Sequence, residues 1–174
     1  GQHQPHDEPH GEHAAALADC EAALRLRRTL GDEAAVAETA NNLGLALETL
    51  GRAREAEARY REALALNRRL GDSESVVVNL GNLGALALGA GRYSEAMVLY
   101  REAAAIAAAE RDAPGAGEEL RIARINQGVV LEKVGEYRDA VALYKQLLAV
   151  DDDAGADPRQ SAGLLVNARV IYLT

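Results

Sequence analysis

Residues 31–70 read GDEAAVAETANNLGLALETLGRAREAEARYREALALNRRL, and residues 71–110 read GDSESVVVNLGNLGALALGAGRYSEAMVLYREAAAIAAAE. Laid one on the other, they agree at 15 of 40 positions, where chance gives about 3. The agreement is clustered. Gly31-Asp32 recurs as Gly71-Asp72, Asn42-Leu43-Gly44 as Asn82-Leu83-Gly84, Gly51-Arg52 as Gly91-Arg92, and Glu55-Ala56 as Glu95-Ala96. Tyr60-Arg61-Glu62-Ala63 returns as Tyr100-Arg101-Glu102-Ala103. The chain is therefore a tandem duplication, and its fold must be a stack of like units.

The unit continues outward. Residues 11–32 match 51–72 at Gly11, Ala16, Ala23, Leu24, Leu26, Leu30 and Gly31-Asp32. Downstream, Asn126-Gln127-Gly128, Gly135, Ala140 and Tyr144 repeat the pattern at an offset of 44 (126 − 82). The four extra residues are placed in the Pro114-Gly115-Ala116-Gly117 stretch, since loops accept insertions that helices do not. Asn167 falls 41 after Asn126 and opens another copy. The expected organisation is a tail over 1–10 and one repeat domain over 11–174. Its parts are a half-repeat (11–30), repeats 31–70, 71–110 and 111–150, and a partial repeat (151–174).

Inside a unit the apolar residues fall at helical spacing. Val36, Ala40, Leu43, Leu47 and Leu50 form one face of a first helix, and Ala56, Tyr60, Ala63, Leu64 and Leu70 mark a second. Gly51 and Gly71 end these helices as left-handed residues do, and Asp72 or Ser73 can cap the next one. Gly44 and Ala56 stand where the two helices would cross most closely, with Tyr60 as the large knob that fills the next gap.

The Asn-Leu-Gly run, the Gly-Arg turn, the Glu-Ala pair and the Tyr with its following Ala resemble the tetratricopeptide repeat. The 40-residue spacing with Gly-Asp between units is similar to the variant in kinesin light chains, cell-polarity adaptors and bacterial regulators. The resemblance covers roughly 11–174 and implies an all-α, right-handed superhelical solenoid of antiparallel helix hairpins. The sequence departs from the family where bulky aromatics of the first helix are replaced by Ala40 or Leu80, and by Leu47.

Composition agrees with this reading. Hydrophobic residues make up 48% of the chain but aromatics only 3%, with neither Trp nor Phe, so the core is built from Ala, Leu and Val around Tyr. Acidic residues outnumber basic ones, 27 to 19, for a net charge of −8. No clustered basic face for nucleic acid is visible. No apolar run is long enough to span a bilayer and no leader peptide is evident, so a cytoplasmic protein is expected. Arg dominates over Lys and Ala and Gly are abundant, a bias that suggests a bacterial genome rich in GC.

Asn42, Asn82, Asn126 and Asn167 occupy one place in four successive units. An Asn amide both donates to and accepts from a peptide backbone, so it can grip an extended segment of any sequence. An Asn bonded to a neighbouring helix's carbonyl is the structural alternative. The resemblance implies a concave groove lined by Asn41, Leu45 and Glu48, by Val78, Gly81, Ala85 and Leu88, and by Ile122, Ile125, Val129 and Glu132. These residues could instead pack in the core. The Lys and Arg that a carboxylate-seizing groove of this family needs are missing there, Lys133 being the nearest, and an apolar groove suits an amphipathic or hydrophobic segment.

His3, His6, His10 and His13 have spacing that could gather a metal, but Pro5 and Pro9 are expected to break a helix there, and a flexible linker is the reading adopted. Cys20 takes the place of Tyr60, Tyr100 and Tyr144 and is expected to fill the core. Asp151-Asp152-Asp153 lacks the Glu of a calcium loop, residue 162 being Ala, and is expected to be a solvated loop capping the next helix. No phosphate loop, paired zinc motif or nucleophile elbow is present. No cofactor, metal or catalytic activity is expected. The expected function is a protein- or peptide-binding scaffold. The alternatives are a regulatory or sensor domain of a larger bacterial transcription or signalling protein, and a module that self-associates through open solenoid ends.

Overall fold

A computed structural model of the chain describes residues 8–110 and 112–154. Those residues form α1 (Glu8–Leu30), α2 (Glu33–Thr49), α3 (Ala53–Leu70), α4 (Ser73–Gly89), α5 (Tyr93–Ala109), α6 (Ala116–Lys133) and α7 (Tyr137–Ala154), with no strand among them. Ala and Leu, the strongest helix formers, fill the helices, and the turns carry the residues that stop and restart them. Gly51 and Gly71 have φ of 73° and 71°, a region that a Cβ makes costly. Asp32 and Asp72 accept the Ala35 and Ser75 N–H groups, each at 3.0 Å, and so cap α2 and α4. The recurrent Gly-Arg-x-x-Glu motif is a local ion pair. Arg52 Nε and Nη2 reach the two Glu55 oxygens at 2.7 Å, and Arg92 Nη1 reaches Glu95 at 2.8 Å. The hydrogen bond from Arg52 holds the Glu55 carboxyl below its ordinary range. Such exposed pairs fix turn geometry more than they add stability.

Two compact units divide at Ser75 and Val76, inside the first turn of α4. In the first, α2 packs against both α1 and α3. Arg28 of α1 pairs with Glu62 of α3, and Arg69 of α3 pairs with Glu33 of α2 at 2.6 Å. Buried Thr39 donates to the Ala35 carbonyl at 2.6 Å and accepts from the Arg27 guanidinium, which ties α1 to α2. In the second unit α6 packs against α5 and α7. There Ala87, Ala96, Tyr100 and Val130 cluster from α4, α5 and α6, and Ala140, Tyr144 and Leu147 cluster on α7.

One contact recurs in three helix pairs. Gly44 faces the Tyr60 ring, Gly84 the Tyr100 ring and Gly128 the Tyr144 ring, always 16 residues apart (60 − 44). A Cβ on Gly44 would stand 2.6 Å from Tyr60 Cε1, and one on Gly84 2.5 Å from Tyr100 Cε1. The absence of a side chain lets the ring lie on the helix backbone. The three tyrosines are buried almost completely. Each ring thus lies against the glycine of its own helix pair, and Tyr100 also packs against Val130 of the next pair. Tyr60 Oη donates to Glu48 Oε2 at 2.8 Å and Tyr144 Oη to Glu132 Oε1 at 2.7 Å. Leu88 holds the equivalent place beside Tyr100 and packs into that core cluster.

Three local expectations are corrected. Pro9 does not break the first helix: α1 starts at Glu8 and takes Pro9 into its first turn, where a missing N–H costs nothing. Asp151, Asp152 and Asp153 form the last turn of α7, not a loop. Ala116 and Gly117 begin α6, because the chain turns at Gly115, whose φ is 85°. Gly1 to Asp7, with His3 and His6, and Asn167 lie outside the described residues.

Two outcomes are expected. Gly84→Ala forces its methyl into the Tyr100 ring and should lower stability by about 1–3 kcal/mol in urea unfolding, even though alanine favours a helix. Burial pushes the Tyr100 hydroxyl up to about 12, and burial together with the Glu48 hydrogen bond and charge pushes Tyr60 up as well. The unfolded chain ionises these groups at their ordinary 10.0 while the folded chain does not. Stability is therefore retained below pH 10 and lost as pH rises above it. The urea midpoint should fall between about pH 9 and 11, and Tyr60→Phe should reduce that fall.

Candidate partner-binding surface

The first helix of each pair, α2, α4 or α6, carries an outward stripe at positions i, i+4 and i+7, one face of a helix. The stripes are Glu38-Asn42-Leu45, Val78-Asn82-Ala85 and Ile122-Asn126-Val129. In each, an Asn stands between residues that the core does not cover. Leu45 is 56% exposed, Val78 44% and Ile122 48%. Asn42 is exposed, while Asn82, Asn126 and Val129 are half-buried. The spacing exists because the opposite face, Val36, Ala40, Leu43 and Leu47 in α2, is taken up by the neighbouring helices.

The second unit has a notch of about 120 Å³ between α4 and α6, with α5 beneath it. Val78 and Gly81 form one wall, Ile122 and Asn126 the other, and Tyr100 and Ala103 close it from below. Four residues expected along the groove (Val78, Gly81, Ile122 and Asn126) are therefore brought together. Glu119 also lines the notch and is partly exposed.

Other expected positions go elsewhere. Ile125 packs on the Ala140, Tyr144 and Leu147 cluster of α7, and Leu88 on the Tyr100 cluster. Glu48 and Glu132 are held by tyrosine hydroxyls. Asn41 is half-buried, and both it and Asn82 already engage a neighbouring group of the protein. In the first unit Asn42 and Leu45 share the open face of α2.

A larger cleft, about 390 Å³, lies in the first unit over Val36 and Leu66. No motif in the sequence marks it, because it is made by residues of α1 and α3 that meet only in the fold. Its charged lining is internally matched, Arg28 with Glu62 and Arg69 with Glu33. A ligand there would compete with existing ion pairs, whereas the notch offers open apolar surface. Among the described residues, no three His, Cys, Asp or Glu side chains are grouped to hold a metal ion, and no helix is long and apolar enough to cross a membrane.

Comparisons with known proteins fit this architecture. A tetratricopeptide repeat family model matches residues 10–69 and 54–109, and a second model of that repeat matches 123–157. No curated protein matches the chain. Among solved structures, BtubC (BKLC) from P. vanneervenii superposes with a TM-score of 0.73 at 26% identity over 84% of this chain. The chain spans 59% of BtubC's length. A kinesin light chain-like protein from Podosopora anserina, with nearly identical TPR-like repeats, gives 0.67 at 18% identity, covering 94% of this chain and 88% of that one. A single-residue variant of that protein gives 0.68 at 18% identity, over 93% and 87%. These neighbours are helical-repeat solenoids, and repeats of this kind generally mediate contacts between proteins and are generally not catalytic. With its duplicated helix pairs and the match over 10–109, the chain belongs to the tetratricopeptide repeat family.

Proposed function

We propose that this chain is a binding scaffold, not an enzyme, and that it holds extended partner segments against the open faces of its first helices, α2 in the first unit and α4 and α6 in the second. The observation that carries the reading is the repeated stripe in which an Asn stands beside an exposed apolar residue, Leu45, Val78 or Ile122. Apolar side chains left outside a core gain free energy only when something covers them, at about 25 cal/mol per Å². The Asn amides at 42, 82 and 126 supply donors and acceptors for a backbone whose own groups would otherwise lose water. Asn167, Asn41 and Val129 belong to the same proposed set by repeat position, whereas Ile125 is taken up by the α7 cluster. The three described stripes carry no Lys or Arg, which disfavours an acidic ligand.

A second reading, self-association, is favoured by one comparison within the first unit. Leu66 of α3 is 9% exposed, while its repeat-equivalent on α1, Leu26, is 60% exposed. A second copy of the chain stacked on α1 would cover Leu26 and the neighbouring exposed Leu30.

The Asn42/Asn82/Asn126→Ala triple variant should keep its far-ultraviolet circular dichroism and lose a protein that the wild-type chain retains from the source lysate, with affinity reduced on the order of tenfold or more. Equal retention by both would show that these amides do not hold the partner. For the second reading, sedimentation velocity over a range of concentrations should show association that Leu26→Lys abolishes, and a monomer throughout would dispose of it.

A further inference from the structure

α1 has two apolar sides, and the first unit covers one of them. Leu17 and Leu24 are buried against that unit. On the opposite side Ala18, Ala22 and Leu26, each one helical turn from the next, form a stripe with Ala23 and Leu30 beside it, and all five are exposed. The repeat-equivalents of Ala23 and Leu26 on α3 are Ala63 and Leu66 (63 − 23), which are 0% and 9% exposed. The repeat therefore makes this side of a helix to be covered. Two charges frame the stripe. Asp19 precedes Ala22 by three residues and Arg25 follows it by three. Both are exposed, and among the described residues neither is held in a hydrogen bond or ion pair. The charges around them are engaged: Arg27 with Thr39 and the Ala35 carbonyl, Arg28 with Glu62, while Glu21 acts on the charge of Arg52.

We propose that the open side of α1 docks on the same side of α1 in a second copy of the chain, antiparallel, about a two-fold axis at Ala22. The inference rests on the self-association reading above and adds the surface and its register. The stripe is complementary to itself in this one register. With Ala22 on the axis, residues equally far before and after it face each other across the pair. Asp19 then meets the partner's Arg25, and Arg25 the partner's Asp19. Leu26 meets the partner's Ala18, large against small, and the alanines at the axis let the two helices approach closely. A parallel pair would set Asp19 on the partner's Asp19 and Arg25 on the partner's Arg25, and like charges so placed repel. A two-fold contact uses one patch twice and so must match itself in both charge and size. The stripe does so, which points to a second copy and not to an unrelated protein. One helix pair covers less area than a standard interface, so the dimer is weak, with Kd on the order of 10–100 μM.

The test is sedimentation velocity of the full chain at low salt and at concentrations up to about 500 μM, with circular dichroism to confirm that each variant keeps its helicity. The wild type should associate into a dimer. Asp19→Arg and Arg25→Asp should each weaken the dimer by about tenfold, because each replaces two attractions with two repulsions. The double variant Asp19→Arg/Arg25→Asp should regain most of the loss, which a merely structural role for either residue would not allow. Ala22→Cys, made in a Cys20→Ser background, should cross-link two copies under mild oxidation, since only a two-fold axis at this residue brings it against itself. A dimer that is indifferent to both charge reversals, is not rescued by the double variant, or fails to cross-link through position 22 overturns this register, and self-association then stands through another contact. A monomer at every concentration overturns both.

Discussion

The close approach of a tyrosine ring to a glycine backbone sets the spacing within each helix pair, and the open faces depend on it. A chain without Trp or Phe has few ways to fill the space between helices. Here one large ring per helix pair is laid flat on a position stripped of its side chain. The pair then closes tightly enough for Ala56, Ala63, Ala96, Ala103 and Ala140 to complete the core with almost no exposed surface. Among the described residues, the three rings are the largest side chains that are fully buried. Removing the fit at one pair shifts a helix that also carries part of the open face, so packing and binding surface are coupled through the same residues.

Glycine therefore serves three purposes in one short sequence, and only geometry separates them. Gly51 and Gly71 allow a left-handed turn, Gly84 allows a ring to approach, and Gly81 leaves a space that no described residue fills. The first two kinds recur with the repeat. The third does not, and that irregularity makes it informative. A periodic array repeats what stability needs, and departures from the period mark the places where the copies differ in task.

The repeat made most of the architecture legible from residues alone. Helix pairs, turns and caps could be read because backbone requirements leave strong local marks: glycine at positive φ, aspartate ahead of a helix, apolar residues at three and four. What could not be read were choices between adjacent faces. Ile125 and Ile122 are one turn apart, yet one packs on α7 and the other opens to the notch. Glu48 and Glu132 look like groove residues until the tyrosine hydroxyl is seen to claim them. Which side chain of a boundary pair is covered depends on a partner helix distant in sequence. The three aspartates at 151–153 misled for another reason, since composition suggested a loop while α7 continues through them to Ala154.

The constancy of the 16-residue separation between each glycine and its tyrosine has a kinetic consequence. Each pair can find its defining contact by closing a short, local loop, without waiting for distant chain segments to meet. Low contact order of this kind goes with rapid folding. An array whose units close one by one also opens one by one, so the protection of backbone amides against exchange belongs to each pair and its neighbours, and not to the chain as a whole.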